Sequence, residues 1–318
     1  MTTVSVLVTS AGVESAVNII KSLRIQTEIK IRIIATDINV FASGLYLADD
    51  FEISPPIKEI KKYIGFLKHV CIKHSIDVIF PCYSGEIELI SDYRKEFEKL
   101  SIKTLLSDSR VIRQCNDKKS ISKIISALEI PQPKTIKSPT SSNLPLFTKL
   151  VTGSSSKGAF KVETESHLSY ILSKKESRIF QENIEGQEYT VDVLCDKESQ
   201  VLVCAPRKRL EVKSGQVVKS ITVNSRKINN YVNLICNKLR IRGACNIQFI
   251  EKENSFYFIE INPRFAAGGL MLTVKAGSNI PLLALKIILN KEIRPQELTH
   301  EEGLVMTRYW EEIIINGK

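Results

Sequence analysis

Four polar side chains in the last third of the chain have the types and spacing that a metal and phosphate site needs. Gln248, Glu260, Asn262 and Arg264 all lie in the stretch from Gly243 to Gly269. Amide and carboxylate oxygens are the hard donors that Mg²⁺ or Mn²⁺ prefers, and an arginine beside them suits phosphate oxygens. The stretch therefore predicts a divalent cation held by Gln248, Glu260 and Asn262, with Arg264 directed at phosphate.

These side chains are predicted to lie on one β-hairpin. Residues 243–252 and 256–262 are rich in β-branched and aromatic residues, and residues 253–255 form a short polar turn between them. With a three-residue loop, Lys252 pairs with Phe256 and Gln248 lies opposite Glu260. The other face would then carry an apolar set suited to a core: Ile247, Phe249, Tyr257, Ile259 and Ile261. The alternative is a half-exposed hairpin whose polar residues face water.

A second chemical feature lies near position 150. Lys149 stands inside an apolar strand, where a charge is costly unless it has a partner. The loop that follows can wrap phosphates with its backbone N–H groups, and it consists of Gly153, Ser154, Ser155, Ser156, Lys157 and Gly158. It is not a Walker A loop, because Ala159 follows the second glycine. The alternative is a plain hairpin loop.

Two arginines form a third candidate group. Arg207 and Arg209 are two residues apart in a predicted strand, so they share a face and could clamp an anionic substrate. The alternative is an exposed basic edge strand, in which charge prevents edge-to-edge pairing.

The elements before these groups read as a parallel α/β domain. Predicted strands at 4–9, 31–36, 76–81 and 103–106 alternate with helical segments at 14–23, 57–74 and 86–100. This spacing predicts βαβ units and a Rossmann-like sheet with ligands at the carboxyl ends of its strands. The first turn has one glycine and no GxGxxG, so it supports a dinucleotide only weakly. Helices are predicted at 226–240 and 270–289, and a closing strand with core or interface aromatics, Tyr309 and Trp310, at the tail.

Five motifs in order resemble the ATP-grasp superfamily, and most closely the carbamoyl phosphate synthetase large subunit and stand-alone ligases like it. They are Asn116-Asp117-Lys118, Lys149 with its loop, the segment from Gln181 to Glu188, Gln248, and Glu260-x-Asn262-Pro263-Arg264. The resemblance implies a Rossmann-like pre-ATP-grasp domain followed by a two-subdomain ATP-grasp fold, of mixed α/β and α+β class. The implied divisions are 1–110, 111–180 and 181–318.

The resemblance also implies roles for individual residues. Lys118 and Lys149 would contact nucleotide phosphates, the loop at 153–158 would cover them as a lid, and Arg264 with Lys149 would offset charge during phosphoryl transfer. The adenine hinge would be Glu182, Asn183 and Ile184, with Gln181 meeting the adenine amino group and Glu188 receiving the ribose hydroxyls. From the residues alone, Asp117 could instead cap a helix, Lys118 could face solvent, and the hinge could be an ordinary hairpin.

The same resemblance places the second substrate against the first domain. The predicted substrate residues are Ser10, Gly12, Asp37, Glu86, Arg207 and Arg209. Glu86 matches a family acid, whereas Ser84 stands where the family commonly has Asp, and this departure weakens any inference about that substrate. Asp37 could equally cap the end of its strand.

The implied function is an ADP-forming ligase that uses ATP and Mg²⁺ to join a small carboxylate to an amine through an acyl phosphate. Two alternatives remain at this point. One is an ATP-grasp kinase, or an enzyme of the carboxyphosphate or carbamoyl phosphate type, without an amine acceptor. The other is a non-catalytic nucleotide-binding module.

The composition of the chain predicts which partners and which cellular compartment the protein has. The net charge of +10 comes from lysines spread over helical segments without a basic run of five, so no nucleic-acid partner is predicted. No apolar run of about 18 residues occurs, so no membrane span is predicted. Seven scattered cysteines without metal-ligand spacing predict reduced core thiols in a cytoplasmic protein. A homodimer is compatible with the sequence.

Overall fold

The computed structural model describes residues 3–151, 158–213 and 215–315. Five residues of the predicted phosphate-binding loop, Gly153, Ser154, Ser155, Ser156 and Lys157, lie outside this described part of the chain, so the prediction for them stays a prediction. Gly158 is described, and its carbonyl oxygen accepts a hydrogen bond from Arg178 Nη1 at 2.8 Å.

The first unit is a four-stranded parallel sheet in the order β3-β2-β1-β4. Its strands are β1 (Val4–Val8), β2 (Ile31–Asp37), β3 (Asp50–Ile53) and β4 (Val78–Phe80), and its helices are α1 (Glu14–Arg24), α2 (Ile60–Lys73), α3 (Ser84–Asp92) and α4 (Arg94–Glu98). The predicted parallel α/β fold is confirmed. The strand predicted at 103–106 is reduced to one bridge between Val78 and Lys103, and β3 was not predicted.

Both faces of this sheet are covered, as its continuous apolar strands require. Val6 and Val8 are fully buried against α1, whereas Leu7 between them faces α2 through Tyr63 and Leu67. The helix predicted at 86–100 is instead the pair α3 and α4, which meet at Tyr93.

A small antiparallel sheet follows two helices. The helices are α5 (Ser109–Asn116), which was not predicted, and α6 (Lys118–Ala127). The sheet has the order β6-β5-β7 and consists of β5 (Leu146–Leu150), β6 (Phe160–Val162) and β7 (Arg178–Glu182). Helix α7 (Glu165–Ser173) lies between β6 and β7 in the chain. Asp117 caps α6, because its Oδ1 accepts the N–H groups of Lys119 and Ser120. The capping alternative for Asp117 is thus correct.

The third sheet is antiparallel and has the order β12-β11-β8-β9-β10-β13. Its strands are β8 (Gln187–Cys195), β9 (Val201–Lys213), β10 (Gln216–Thr222), β11 (Gly243–Lys252), β12 (Ser255–Asn262) and β13 (Val305–Thr307), and the helices associated with it are α8 (Arg226–Leu239), α9 (Leu270–Lys275) and α10 (Ile280–Ile288). The single helix predicted at 270–289 is interrupted at Gly277, whose φ of +120° favours glycine. Asn279 then caps α10.

The β11–β12 hairpin has a shorter turn than predicted and a β-bulge that compensates for it. Lys252 pairs with Ser255, not Phe256, and Glu253 and Asn254 both have positive φ, as a two-residue hairpin turn requires. The register then shifts by one residue between Gln248 and Phe249, so Gln248 still lies opposite Glu260. The predicted pairing of Gln248 with Glu260 is confirmed, although the predicted length of the turn was wrong.

The bulge changes which residues reach the core. Phe256 and Phe258 are 7% and 3% exposed and join the cluster under α8, whereas Tyr257 and Ile259 do not belong to it. The predicted core face was therefore right for Ile247, Phe249 and Ile261 and wrong for Tyr257 and Ile259.

One apolar cluster joins the first sheet to the C-terminal helices. It includes Val6, Ile19 and Leu23 from the first unit together with Leu270 and Leu283 from α9 and α10. The implied divisions at 110/111 and 180/181 stay predictions; the second falls inside β7.

Other predictions concern the surface and the thiols. Tyr309 and Trp310 are 82% and 91% exposed, so they are not core residues. The closing strand is only the three residues of β13. All seven cysteines are free, and six of them are buried. In the part of the chain that the structure describes, none of the helices is long and apolar enough to cross a membrane.

Candidate functional site

The hairpin brings the three predicted metal ligands together. Glu260 Oε1 accepts hydrogen bonds from Gln248 Nε2 at 3.0 Å and from Asn262 Nδ2 at 2.9 Å. Asn246, two residues before Gln248 on the same strand face, joins them, because Asn262 Nδ2 also donates to Asn246 Oδ1 at 3.3 Å. Asn246 was missed, although its position two residues before Gln248 was a usable signal.

This donor set fits a hard divalent cation. It offers one carboxylate and amide oxygens from Gln248 and Asn262, and a half-turn of either amide exchanges its nitrogen for its oxygen. Among the described residues, no group of three or more His, Cys, Asp or Glu side chains is arranged to hold a metal. A metal here would therefore depend on Glu260 as its carboxylate ligand.

Two lysines approach Glu260 from the preceding elements. Lys149 on β5 is 9% exposed, and its Nζ donates to the carbonyl oxygen of Ile259, the residue at the bulge, at 3.2 Å. Burial lowers the pKa of Lys149 to about 8, against the opposing pull of Glu260. Burial also lowers the pKa of Lys118, with Glu260 acting in the opposite direction. Lys118 is thus half-buried at the site and does not simply face solvent.

Arg264 completes the positive surroundings of Glu260. Its Nε donates to Ser84 Oγ at 3.1 Å and its Nη1 to the carbonyl oxygen of Phe265 at 3.0 Å. Burial lowers the pKa of Arg264, and Glu260 opposes that shift. Ser84, noted as a departure from the family pattern, therefore positions this arginine.

One cavity, here called the hinge cavity, lies between the small sheet and the third sheet. It has a volume of about 290 Å³ and is lined by the predicted nucleotide residues Lys118, Lys149, Gln181, Glu182, Asn183, Ile184 and Glu188. Gln181 Nε2 donates to the carbonyl oxygen of Pro133 at 3.3 Å, which leaves its oxygen as the acceptor. Glu188 forms an ion pair with Arg209 at 2.6 Å. The structure therefore brings these seven residues of the predicted nucleotide set together, whereas Gly158 is not among the residues that line the cavity.

A second cavity, the interdomain cavity, lies between the third sheet and the first unit. It has a volume of about 390 Å³ and is lined by Gly12, Arg207, Arg209 and Arg264, among others. Gln248 and Glu260 line both this cavity and the hinge cavity. A third cavity of about 600 Å³ beside α6 also reaches Glu260. Glu260 thus stands where the cavities meet.

Arg207 is buried in the interdomain cavity, and β9 is an inner strand. The exposed-edge alternative for this arginine is therefore wrong. Its Nε and Nη2 donate to the two oxygens of Asp192 at 3.2 and 3.0 Å, and its Nη1 is buried without a hydrogen-bond partner among the residues described. The guanidinium packs on Gly269, where an added Cβ would lie 2.2 Å from Arg207 Cζ.

Three predicted substrate residues do not line these cavities. Glu86 is 3% exposed and accepts hydrogen bonds from Thr9, Ser10 and Tyr63; burial raises its pKa, and these bonds oppose the shift. Asp37 accepts the N–H groups of Gly12 and Asn39. Both carboxylates thus order the loop after β1, and direct substrate contact by Ser10, Asp37 or Glu86 stays a prediction.

Two family models match the chain. The "ATP-grasp domain" model matches residues 115–268, and the "PylC-like, N-terminal domain" model matches residues 6–105. The carbamoyl phosphate synthase large chain of Caldanaerobacter subterraneus is 27% identical over 234 residues, which are 66% of this chain and 22% of that protein. That of Clostridium botulinum (strain Loch Maree) is 34% identical over 90 residues, which are 28% and 8% of the two chains. The chain thus matches at most about a fifth of these relatives' length.

Solved structures support the same fold. Biotin carboxylase from Campylobacter jejuni superposes with a TM-score of 0.71 at 18% identity, covering 93% of this chain and 73% of that one. L-amino acid ligase from Bacillus licheniformis gives 0.69 at 15% identity, with coverage of 94% and 78%. N5-carboxyaminoimidazole synthetase from Staphylococcus aureus, complexed with ADP, gives 0.70 at 14% identity, with coverage of 92% and 78%. These matches identify residues 115–268 as an ATP-grasp domain.

Proposed function

We propose that this protein is an ATP-dependent, ADP-forming ligase that activates a small-molecule carboxylate as an acyl phosphate and couples it to an amine. The observation that carries the proposal is the position of Glu260. It lies between Gln248 and Asn262 and lines both the hinge cavity and the interdomain cavity. A nucleotide in the first cavity and a carboxylate in the second would therefore meet at this residue.

The nucleotide would occupy the hinge cavity. Residues 182–184 lie between β7 and β8, and their backbone is suited to read the edge of a base with one donor and one acceptor. Glu188 would accept the ribose hydroxyls, and Lys118 and Lys149 would contact phosphates. The match of residues 115–268 to the ATP-grasp domain model and the ADP complex of a structural relative support ATP as this nucleotide.

Glu260, Asn262 and Gln248 would hold Mg²⁺, which supplies charge neutralisation to phosphate oxygens when it is bound. In the reaction, a carboxylate oxygen forms a bond to the γ-phosphorus while the bond from that phosphorus to the ADP oxygen breaks. The amine nitrogen then attacks the acyl carbon, phosphate leaves, and the nitrogen loses a proton. Lys149 and Arg264 offer fixed positive charge beside the transferred phosphoryl group.

The test compares two hairpin carboxylates. Purified wild-type protein, Glu260→Gln and Glu253→Gln are assayed for Mg²⁺-dependent ADP formation with amino acids and small carboxylic acids, singly and in pairs. Glu253 lies in the exposed turn and serves as the matched control. We expect Glu260→Gln to lower the rate by at least about 100-fold, with its melting temperature and that of the control preserved. Undiminished ADP formation by Glu260→Gln would refute the assignment.

A further inference from the structure

The cavity beside α6, here called the α6 cavity, is strongly cationic. It has a volume of about 600 Å³ and is lined by residues of α6, of the segment 132–139 that follows it, of β7 and of β12. Glu260 is the one acidic side chain among the described residues that line it. The basic side chains that line it are Lys118, Lys119, Lys123, Lys137, Lys149 and Arg178. A concave surface with one sign of charge attracts ligands of the opposite sign, so the α6 cavity is suited to an anion.

Three of these lysines belong to the α6 cavity and do not line the hinge cavity. Lys119 and Lys123 lie four residues apart on α6, and Lys137 lies in the segment 132–139. All three are exposed, so a ligand can reach them, and none of the three side chains has an ion-pair or hydrogen-bond partner among the described residues. Like charges four residues apart on a helix destabilise it. A bound anion would offset this repulsion.

The walls of the α6 cavity are held together by hydrogen bonds. Gln132 Nε2 donates to the carbonyl oxygen of Ser122 at 2.8 Å, and Ser122 Oγ donates to Gln132 Oε1 at 2.8 Å. The N–H of Ile136 donates to the carbonyl oxygen of Phe180 at 2.8 Å. These bonds tie the segment 132–139 to α6 on one side and to β7 on the other. The walls that carry the lysines are therefore preformed, as a ligand site requires.

The chemistry of the lining indicates which anion fits. A lysine acts as a point charge suited to phosphate, whereas the guanidinium of Arg178 is already bonded to Glu176 and to the carbonyl oxygen of Gly158. The two-pronged contact that favours a carboxylate is therefore taken. The cavity also has an apolar part, which consists of Ile121, Ile136, Leu172, Phe180 and Phe258. A phosphate ester with an apolar group would satisfy both parts of the lining.

We propose that the α6 cavity binds an organic phosphate as a second ligand, and that this ligand inhibits the enzyme by weakening nucleotide binding. The α6 cavity and the hinge cavity share Lys118 and Lys149. An anion in one cavity therefore uses the positive charge that phosphates in the other would need. This coupling rests on the nucleotide site of the proposed function, whereas the binding itself does not. Because the two cavities adjoin but are not identical, each ligand weakens the other by a limited factor.

The experiment uses 1-naphthyl phosphate, a fluorescent ester with an apolar ring system and roughly two negative charges near neutral pH. It is titrated into the full chain at increasing concentrations of Mg²⁺ with the β,γ-imido analogue of ATP, which is not hydrolysed. We expect saturable binding with a Kd that rises at least about 5-fold and then levels off. Inorganic phosphate and 1-naphthol each lack one part of the ligand and should bind at least about 10-fold more weakly.

Two double variants separate this site from general electrostatics. Lys123→Gln/Lys137→Gln should raise the Kd for 1-naphthyl phosphate at least about 10-fold, because two charged contacts are lost. It should leave the Kd for the nucleotide analogue unchanged, since neither lysine lines the hinge cavity. Lys30→Gln/Lys58→Gln removes the same charge from exposed positions of the first unit and should leave both Kd values unchanged.

The outcomes distinguish this inference from the proposed function. A Kd for 1-naphthyl phosphate that rises without limit as the analogue is added would place the ester in the hinge cavity and overturn the inference. No binding to wild type, equal binding to wild type and Lys123→Gln/Lys137→Gln, or a Kd that the analogue leaves unchanged would also overturn it, and none of these results bears on the ligase. Failure of the analogue to bind counts instead against the proposed function, and a difference in Kd between the two double variants would then still support the second site.

Discussion

At the scale of single residues, Lys149 is the side chain whose position is costly for folding and useful for chemistry. It is 9% exposed, and burial lowers its pKa from 10.5 to about 8. A difference of this size corresponds to roughly 3 kcal/mol of unfavourable free energy while the lysine is held protonated. Such a cost is typical of functional residues, whose removal stabilises a protein and destroys its activity.

We therefore predict that Lys149→Met raises the free energy of unfolding at pH 7 by about 1–3 kcal/mol, allowing for the hydrogen bond lost at Ile259. Below pH 8 the lysine is protonated in both states, so the full cost applies to wild type. Between about pH 8 and 10.5 the folded protein releases the proton before the unfolded chain does, so wild type gains stability with pH. The difference in the free energy of unfolding between Lys149→Met and wild type should therefore vanish above about pH 10.5.

Denaturant unfolding of wild type and Lys149→Met from pH 7 to 10.5 measures this effect, and ADP formation should fall in the variant by at least about 100-fold. Lys238→Met removes an equivalent but exposed charge and should change neither quantity. A variant that is destabilised equally at every pH would show that Lys149 is held mainly by packing.

Sequence reasoning correctly predicted that Gln248, Glu260 and Asn262 lie together, because their residue types and spacing form a recognisable pattern; their role as metal ligands stays a prediction. It could not predict that Glu14 lines the interdomain cavity. Glu14 is an ordinary charged residue at the start of α1, and only the tertiary arrangement brings it there. Nor could the sequence show that Arg207 Nη1 is buried without a hydrogen-bond partner among the described residues, because this depends on the packing around it.

At the scale of elements, the β-bulge at Ile259 is the feature that sequence reasoning could not place. Residues 256–259 are all apolar or aromatic, so no alternation of polar and apolar residues shows which of them face the core. An extra residue in this run therefore cannot be recognised from the sequence. The turn was predicted one residue too long, and the bulge restored the register of Gln248 with Glu260. The parallel strands of the first unit, by contrast, were predictable because turns and helices separate them clearly.

We predict that deleting Ile259 removes the bulge and spares the fold. Phe258 would remain opposite Phe249 and Glu260 opposite Gln248, now in continuous alternation, so the core face is kept. The acceptor of Lys149 Nζ would be lost. The deletion variant should melt within a few degrees of wild type but should lose the rise in melting temperature that MgATP gives wild type.

The substitution Ile259→Ala, which keeps the backbone and removes the side chain, is the matched control and should retain most of that rise. Equal stabilisation of the deletion variant and wild type by MgATP would mean that the bulge does not serve the nucleotide site. A collapse of its melting temperature would mean that the bulge is needed for the sheet itself.

At the scale of the whole molecule, the two ends of the chain share one core. Asn18 Nδ2 donates to the carbonyl oxygen of Ala267 at 2.6 Å, and Asn279 Nδ2 donates to that of Ser22 at 2.9 Å. Lys286, which is 3% exposed, forms an ion pair with Glu28 at 2.7 Å. The sequence predicted α1 and a single helix at 270–289, but it contained no local signal that α9 and α10 cover α1, because long-range packing leaves no periodicity of its own.

We predict that residues 1–110 alone do not fold cooperatively. Without α9 and α10, the face of α1 that holds Ile19 and Leu23 would remain exposed to water, because Leu283, which is fully buried in the same cluster of the full chain, would be missing. The fragment should therefore bind a hydrophobic dye and give poorly dispersed NMR spectra, whereas the full chain should unfold in one transition. Leu283→Ala in the full chain should lower the free energy of unfolding by about 2–5 kcal/mol, and unfolding should still occur in one transition.

A well-dispersed spectrum from the fragment, or two separate transitions in the Leu283→Ala variant, would show that the first unit is independent. The cavity between it and the third sheet would then open and close as two bodies move, and its charge pattern would have to be tested in the closed state.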